Sequence, residues 1–236
     1  MSVNQHSVEN STMKQVRHTG KEATEFVKKF GNQTVRFHAI HHMYKELLED
    51  KEAQILMERT ANAFFRDLNT ILQHYIVLEF AKITDPATTN GRENFTIDNL
   101  IQSIDWPQDI QDKLTSLNNK TKDFRKHIKA ARNRLLAHMD KEVYLTNQVL
   151  GGFPKGEEEA FLQTLVEICD ITHKACFNSI FGQISVVMEG DVFDLKKTLK
   201  RALAFEKIFS ESTGKEKAKL FSYVREDITR TQTKKR

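Results

Sequence analysis

Proline and glycine are scarce, with 3 and 9 copies in 236 residues, well under the average usage of roughly 5% and 7%. With so few breakers, long helices are the expected outcome, and the chain reads as all-α. Long apolar runs are missing too. The stretch from Ile184 to Met188 is broken by Ser185, far short of the ~20 apolar residues that span a bilayer, so neither a membrane segment nor a membrane partner is expected. The opening MSVNQHSVENST lacks a basic start followed by an apolar core; it does not read as a secretory signal, and a cytoplasmic location follows. Cysteine is limited to Cys169 and Cys176, which face the same way on one predicted helix but too far apart along its axis to bond each other. Phosphate-cradling glycine patterns, nucleophile elbows and CxxC pairs are absent, which leaves nucleotide hydrolysis, esterase chemistry and zinc ribbons without support.

What is present is enough for a real core: 39% of the residues are hydrophobic, and the length suits one large domain. The expected organisation is a disordered tail over 1–12, a single helical domain over 13–209, and a basic C-terminal tail over 210–236, partly ordered at most. Within that tail, residues 213–236 hold eight basic side chains against three acidic ones. The whole-chain charge of +4 is only mildly basic, so any nucleic-acid argument has to rest on local clustering.

Apolar residues recur at three and four positions along most of the chain. Phe37, Ile40, Met43, Tyr44, Leu47 and Leu48 mark a helix over 33–48, and Ile55, Leu56, Ala63, Phe64, Leu68, Ile71, Leu72, Tyr75, Ile76 and Phe80 mark a longer one from Glu52 to Thr84. The segment DPATTNGREN, Asp85 to Asn94, is the clearest loop, and Thr96 then looks like the cap of a short helix. Pro107 suits a first helical turn. From there a helical pattern runs to His138, with a break expected near Asn118-Asn119. After a loop with Gly151, Gly152 and Pro154, one helix is predicted from Glu157 to about Val187, with Ile180 among its inward residues, and a last one from Asp191.

Between Lys120 and Arg134, seven basic side chains face a single acid, Asp123. Lys122, Arg125, Lys126, Lys129 and Arg134 are the candidate RNA-binding residues; the plain alternative is a solvated helix surface. The stripe leads into RNRLLAH, where Arg132 and Asn133 precede His138. Cutting RNA with side chains alone needs a proton taken from a 2′-hydroxyl, a proton given to the leaving oxygen, and positive charge on the crowded phosphate. His138 can exchange protons near neutral pH, Arg132 offers a permanently charged fork of donors, and Asn133 can orient either of them. Arg134 lies four before His138 and shares its face more closely than Arg132 does, so which arginine meets phosphate stays open. Six residues at ~100° each spread Arg132 and His138 about 120° around the helix and ~9 Å along it, so a partner helix is needed to complete a site.

This pattern, Arg-polar-x(4)-His at a helix end, resembles the active-site motif of HEPN ribonucleases. The run AFFRDLNTILQHYIVLEFAKITDPATTNGRENFTIDNL (63–100) and LLAHMD (135–140) resemble the abortive-infection, AbiU-like branch of that superfamily. The likeness covers roughly residues 33–205. It implies a HEPN-like bundle of long antiparallel helices, with a short helix after the Asp85–Asn94 loop. It also implies a homodimer whose two motifs face each other, and a metal-independent endoribonuclease with Arg132, His138 and Asn133 catalytic. The implied setting is phage defence, or a toxin silenced by a cognate antitoxin. A second reading is a non-catalytic helical module that dimerises or holds RNA or a partner. No cofactor and no metal are expected: His38 and His42 in HAIHH have ligand spacing, but no third ligand is evident in the sequence nearby.

Overall fold

The computed structural model describes residues 20–130, 156–182, 184 and 189–233, and side chains for all of these except 130 and 224–233. Seven α-helices occur among them: α1 (Gly20–Tyr44), α2 (Lys51–Ile83), α3 (Ile97–Gln102), α4 (Gln108–Ala130), α5 (Glu157–Phe177), α6 (Val192–Glu211) and α7 (Gly214–Thr233). A π-helical turn, Lys45–Glu49, follows α1. The strands β1 (Thr88–Thr89) and β2 (Arg92–Glu93) form a minimal antiparallel hairpin. The molecule is therefore all-α, as its scarcity of breakers predicts. No described helix is long and apolar enough to cross a membrane.

The chain divides into two compact units. In unit 1 (1–38 and 74–184), helices α1, α2, α4 and α5 each contribute one ring to an aromatic core. Phe80 of α2 lies 6.2 Å from Phe37, 5.7 Å from Phe124 and 5.0 Å from Phe161, and Phe124 stacks on Phe161 at 4.4 Å. All four are nearly fully buried, and each such ring pair adds about 0.5–1.5 kcal/mol beyond its burial. The pairs 124/161 and 127/157 run in opposite senses along the sequence, so α4 and α5 are antiparallel. Gly31 on α1 permits a close approach: a Cβ there would come within 2.7 Å of the Phe181 ring.

Unit 2 (39–73 and 185–236) has its own small core of Leu47, Met57, Phe65 and Val192, with Met43, Leu48, Leu68, Leu195 and Leu199 around it. Asp50 caps the start of α2 by accepting from the Ala53 amide at 2.7 Å, and Asp191 accepts from Phe193 N at the start of α6.

Local signals account for most element ends. Thr96 Oγ1 accepts from Asn99 N to start α3, and Pro107 precedes α4. Asn90 and Gly91 both have positive φ, 51° and 75°, the requirement for the tight turn that closes a two-strand hairpin with its native twist. No break occurs at Asn118-Asn119. Asn118 is buried and uses its amide to hold Asp98 of α3, and Thr121 Oγ1 donates back to Asn118 O at 2.8 Å.

Three further expectations differ from the structure. Ile55, Phe64 and Ile71 are more than half exposed, while Phe65 is buried. Helix α2 is non-helical at Ala61 (φ −150°, ψ 60°), so the phase of its apolar stripe shifts there. Helix α5 stops at Phe177 because Asn178 takes the left-handed conformation and donates its N–H to Lys174 O, leaving Ile180 exposed. The segment read as a basic tail is helical over Gly214–Thr233. Both Thr213 N and Thr213 Oγ1 donate to Glu216 Oε2 at 2.8 Å, a capping arrangement legible as T-x-x-E.

Candidate functional site

Helix α4 carries the cationic stripe. Its inner side is held by Leu114, Leu117, Thr121, Phe124 and Ile128, all buried. At ~100° per residue, Lys122, Arg125, Lys126 and Lys129 fall within about 100° of one another on the side next to this one, centred about 110° round from it. They are not equivalent. Lys122 pairs with Asp98 of α3 at 3.1 Å, and Arg125 pairs with Asp85, in the turn after α2, at 2.7 Å. These two fasten α4 to its neighbours. Among the described residues Lys126 pairs within its own helix, with Asp123 at 2.7 Å, and its side chain is 76% exposed. Lys126 lowers the Asp123 carboxyl below its ordinary range, first by its hydrogen bond and then by its charge. Lys129, in the last turn, is exposed.

Arg132, Asn133, Arg134 and His138 lie outside the described residues. Helix α4 is described as far as Ala130, two positions before Arg132 in the sequence.

His127, isolated in the sequence, reads there as a surface or satisfied side chain. It stands in the last turn of α4, and its Nε2 is 3.2 Å from Glu157 Oε2 in the first turn of α5. Both placements suit the helix dipoles, an acid at an N-terminus and a basic group at a C-terminus. The pair borders a cavity of about 280 Å³ between α4 and α5, lined by Lys120, Thr121, Asp123, Phe124, His127, Glu157, Ala160, Phe161 and Thr164.

The remaining histidines have distinct surroundings. His38 Nε2 lies 3.3 Å from the Leu162 carbonyl, and burial lowers its pKa more than that contact raises it. His42 packs against the Phe193 ring at 5.8 Å. His173 sits beside Phe177 and Phe181, at 5.0 and 4.9 Å, with Nε2 buried and without a hydrogen-bond partner among the described residues. Burial lowers its pKa against the opposing pull of Asp170. Cys169 is buried and donates to Thr34 Oγ1 at 3.3 Å, and burial pushes its thiol up to about 12; Cys176 is half-buried and also raised by burial. Neither thiol is suited to nucleophilic work, since the thiolate is the reactive form.

The fold is an all-α bundle in which a cationic helix leads to an arginine–histidine motif. Residues 20–186 match the AbiU2 family of HEPN proteins, and the chain belongs to that family. No curated protein and no solved structure matches it.

Proposed function

We propose that the protein is a metal-independent endoribonuclease acting as a homodimer in phage defence or as the toxin of a toxin–antitoxin pair, with RNA as substrate. One observation carries this reading: the region that matches the family contains Arg132, Asn133 and His138, and the helix leading to them exposes Lys126 and Lys129. His138 exchanges the protons between the 2′-hydroxyl and the leaving oxygen, Arg132 neutralises the phosphate as it crowds, and Asn133 orients one of the two. Lys126 and Lys129, with Arg134, hold flanking phosphates, while Lys122 and Arg125 face the same way but divide their charge with Asp98 and Asp85. Two copies of the motif, one from each protomer, complete the site.

The test is the chemistry of the products. Purified protein in EDTA should cut single-stranded RNA and leave 2′,3′-cyclic phosphate ends, since the attacking group is the neighbouring 2′-hydroxyl. Cutting that stops on adding EDTA would contradict it.

A further inference from the structure

We infer that the cavity between α4 and α5 is a nucleobase pocket that takes one unstacked guanine of a bound RNA strand; this rests on the RNA-directed reading above. Single-stranded RNA is recognised largely through bases splayed out of the strand and held in pockets by their edges. At about 280 Å³ the cavity is just below the ~300 Å³ at which pockets for larger ligands begin, a size for one base rather than a dinucleotide. Its lining includes Phe124 and Phe161, which are stacked at 4.4 Å and buried. Its rim is polar, with the ammonium of Lys120 and the carboxylates of Asp123 and Glu157.

That rim selects among the four bases. A carboxylate accepts two parallel hydrogen bonds only from a base edge with two adjacent donors, and guanine has them in N1–H and N2–H. Adenine and cytosine each place a donor beside an acceptor on that edge, and uracil places its single donor between two carbonyls. Guanine also offers O6 and N7 as acceptors, the atoms that lysine reads in base recognition. Glu157 is the carboxylate assigned to the donor pair; like Asp123, which pairs with Lys126, it has a basic neighbour on one oxygen only. His127, 3.2 Å from Glu157 Oε2, positions that carboxylate.

The experiment titrates the four nucleoside 5′-monophosphates into the full chain, followed by saturation-transfer NMR, for wild type, Glu157→Gln and Ala160→Trp. Ala160 is exposed on the cavity wall, so a tryptophan there fills the space without removing a core contact. Unchanged helical circular dichroism and unfolding temperature establish that the variants fold. The guanine nucleotide should bind at least about 10-fold more tightly than the uracil nucleotide, the size of effect one bidentate pair supplies, and both substitutions should abolish the difference. Equal binding of all four nucleotides, or a guanine preference that survives Ala160→Trp, would overturn the pocket. Electrophoretic binding of mixed-sequence RNA separates the two proposals. Guanine preference without RNA binding supports the pocket and contradicts the RNA-directed reading; RNA binding indifferent to guanine and to both substitutions does the reverse.

Discussion

Arg125 Nη2 donates to Asp85 Oδ1 at 2.7 Å, joining the helix that bears the cationic face to the turn that ends α2. Both side chains are largely sheltered, at 28% and 16% exposure, so removing the guanidinium leaves a carboxylate short of a charged donor. Arg125→Ala should therefore lower the free energy of unfolding by about 1–3 kcal/mol, read by urea denaturation. Lys126→Ala, at a side chain 76% exposed, should leave stability essentially unchanged. Equal behaviour of the two variants would mean that Arg125 is not a clamp.

The order reverses for RNA. Lys126→Glu combined with Lys129→Glu should weaken RNA binding and flatten its dependence on salt, because fewer phosphate counterions are released. Filter binding across a salt series measures this. If the double reversal leaves both affinity and slope unchanged, the face is only solvated.

Acidification should destabilise the fold through His38 and His173, both of which burial holds below their ordinary 6.5. The unfolded chain then binds more protons than the folded one in the window below 6.5. Stability is thus fully present above that value and declines as pH falls toward the lowered folded values. Replacing His173 with phenylalanine, which suits the Phe177–Phe181 surroundings, should reduce the loss between pH about 7.5 and about 5.5. Chemical denaturation at the two pH values decides it, and an unchanged loss in the variant would exclude His173 as a contributor.

Much of this architecture is written locally. Thr96, Pro107 and Asp191 mark the starts of α3, α4 and α6 by caps and turn chemistry that need no distant partner. The sequence does not reveal where a helix changes phase. The non-helical Ala61 is itself a strong helix former, and beyond it Phe65 rather than Phe64 is the buried ring. Asn118 misleads for a related reason: an asparagine pair reads as a break until the structure supplies Asp98 as its partner, twenty positions away. In the candidate site, the stripe and the arginine–histidine motif are legible as one-dimensional patterns. The division of the stripe into clamping and open cations depends on Asp85 and Asp98, whose contacts with α4 are tertiary.

The composite site proposed above calls for two copies of the chain, because a helix through both positions would spread Arg132 and His138 about 120° apart. Light scattering at micromolar concentration should give about twice the 27.4 kDa of a single chain. A monomer that retains full cutting activity would contradict the composite site.

The most direct test is the rate of RNA cleavage by wild type, His138→Ala, Arg132→Ala and Asn133→Ala, prepared identically and assayed in EDTA. Losing general acid–base catalysis should cost roughly 10²–10⁴-fold in the His138 variant without changing its helical circular dichroism. The Arg132 variant should lose activity comparably and the Asn133 variant less, because asparagine only orients. Cleavage that persists at the wild-type rate in both the His138 and the Arg132 variants would contradict the account.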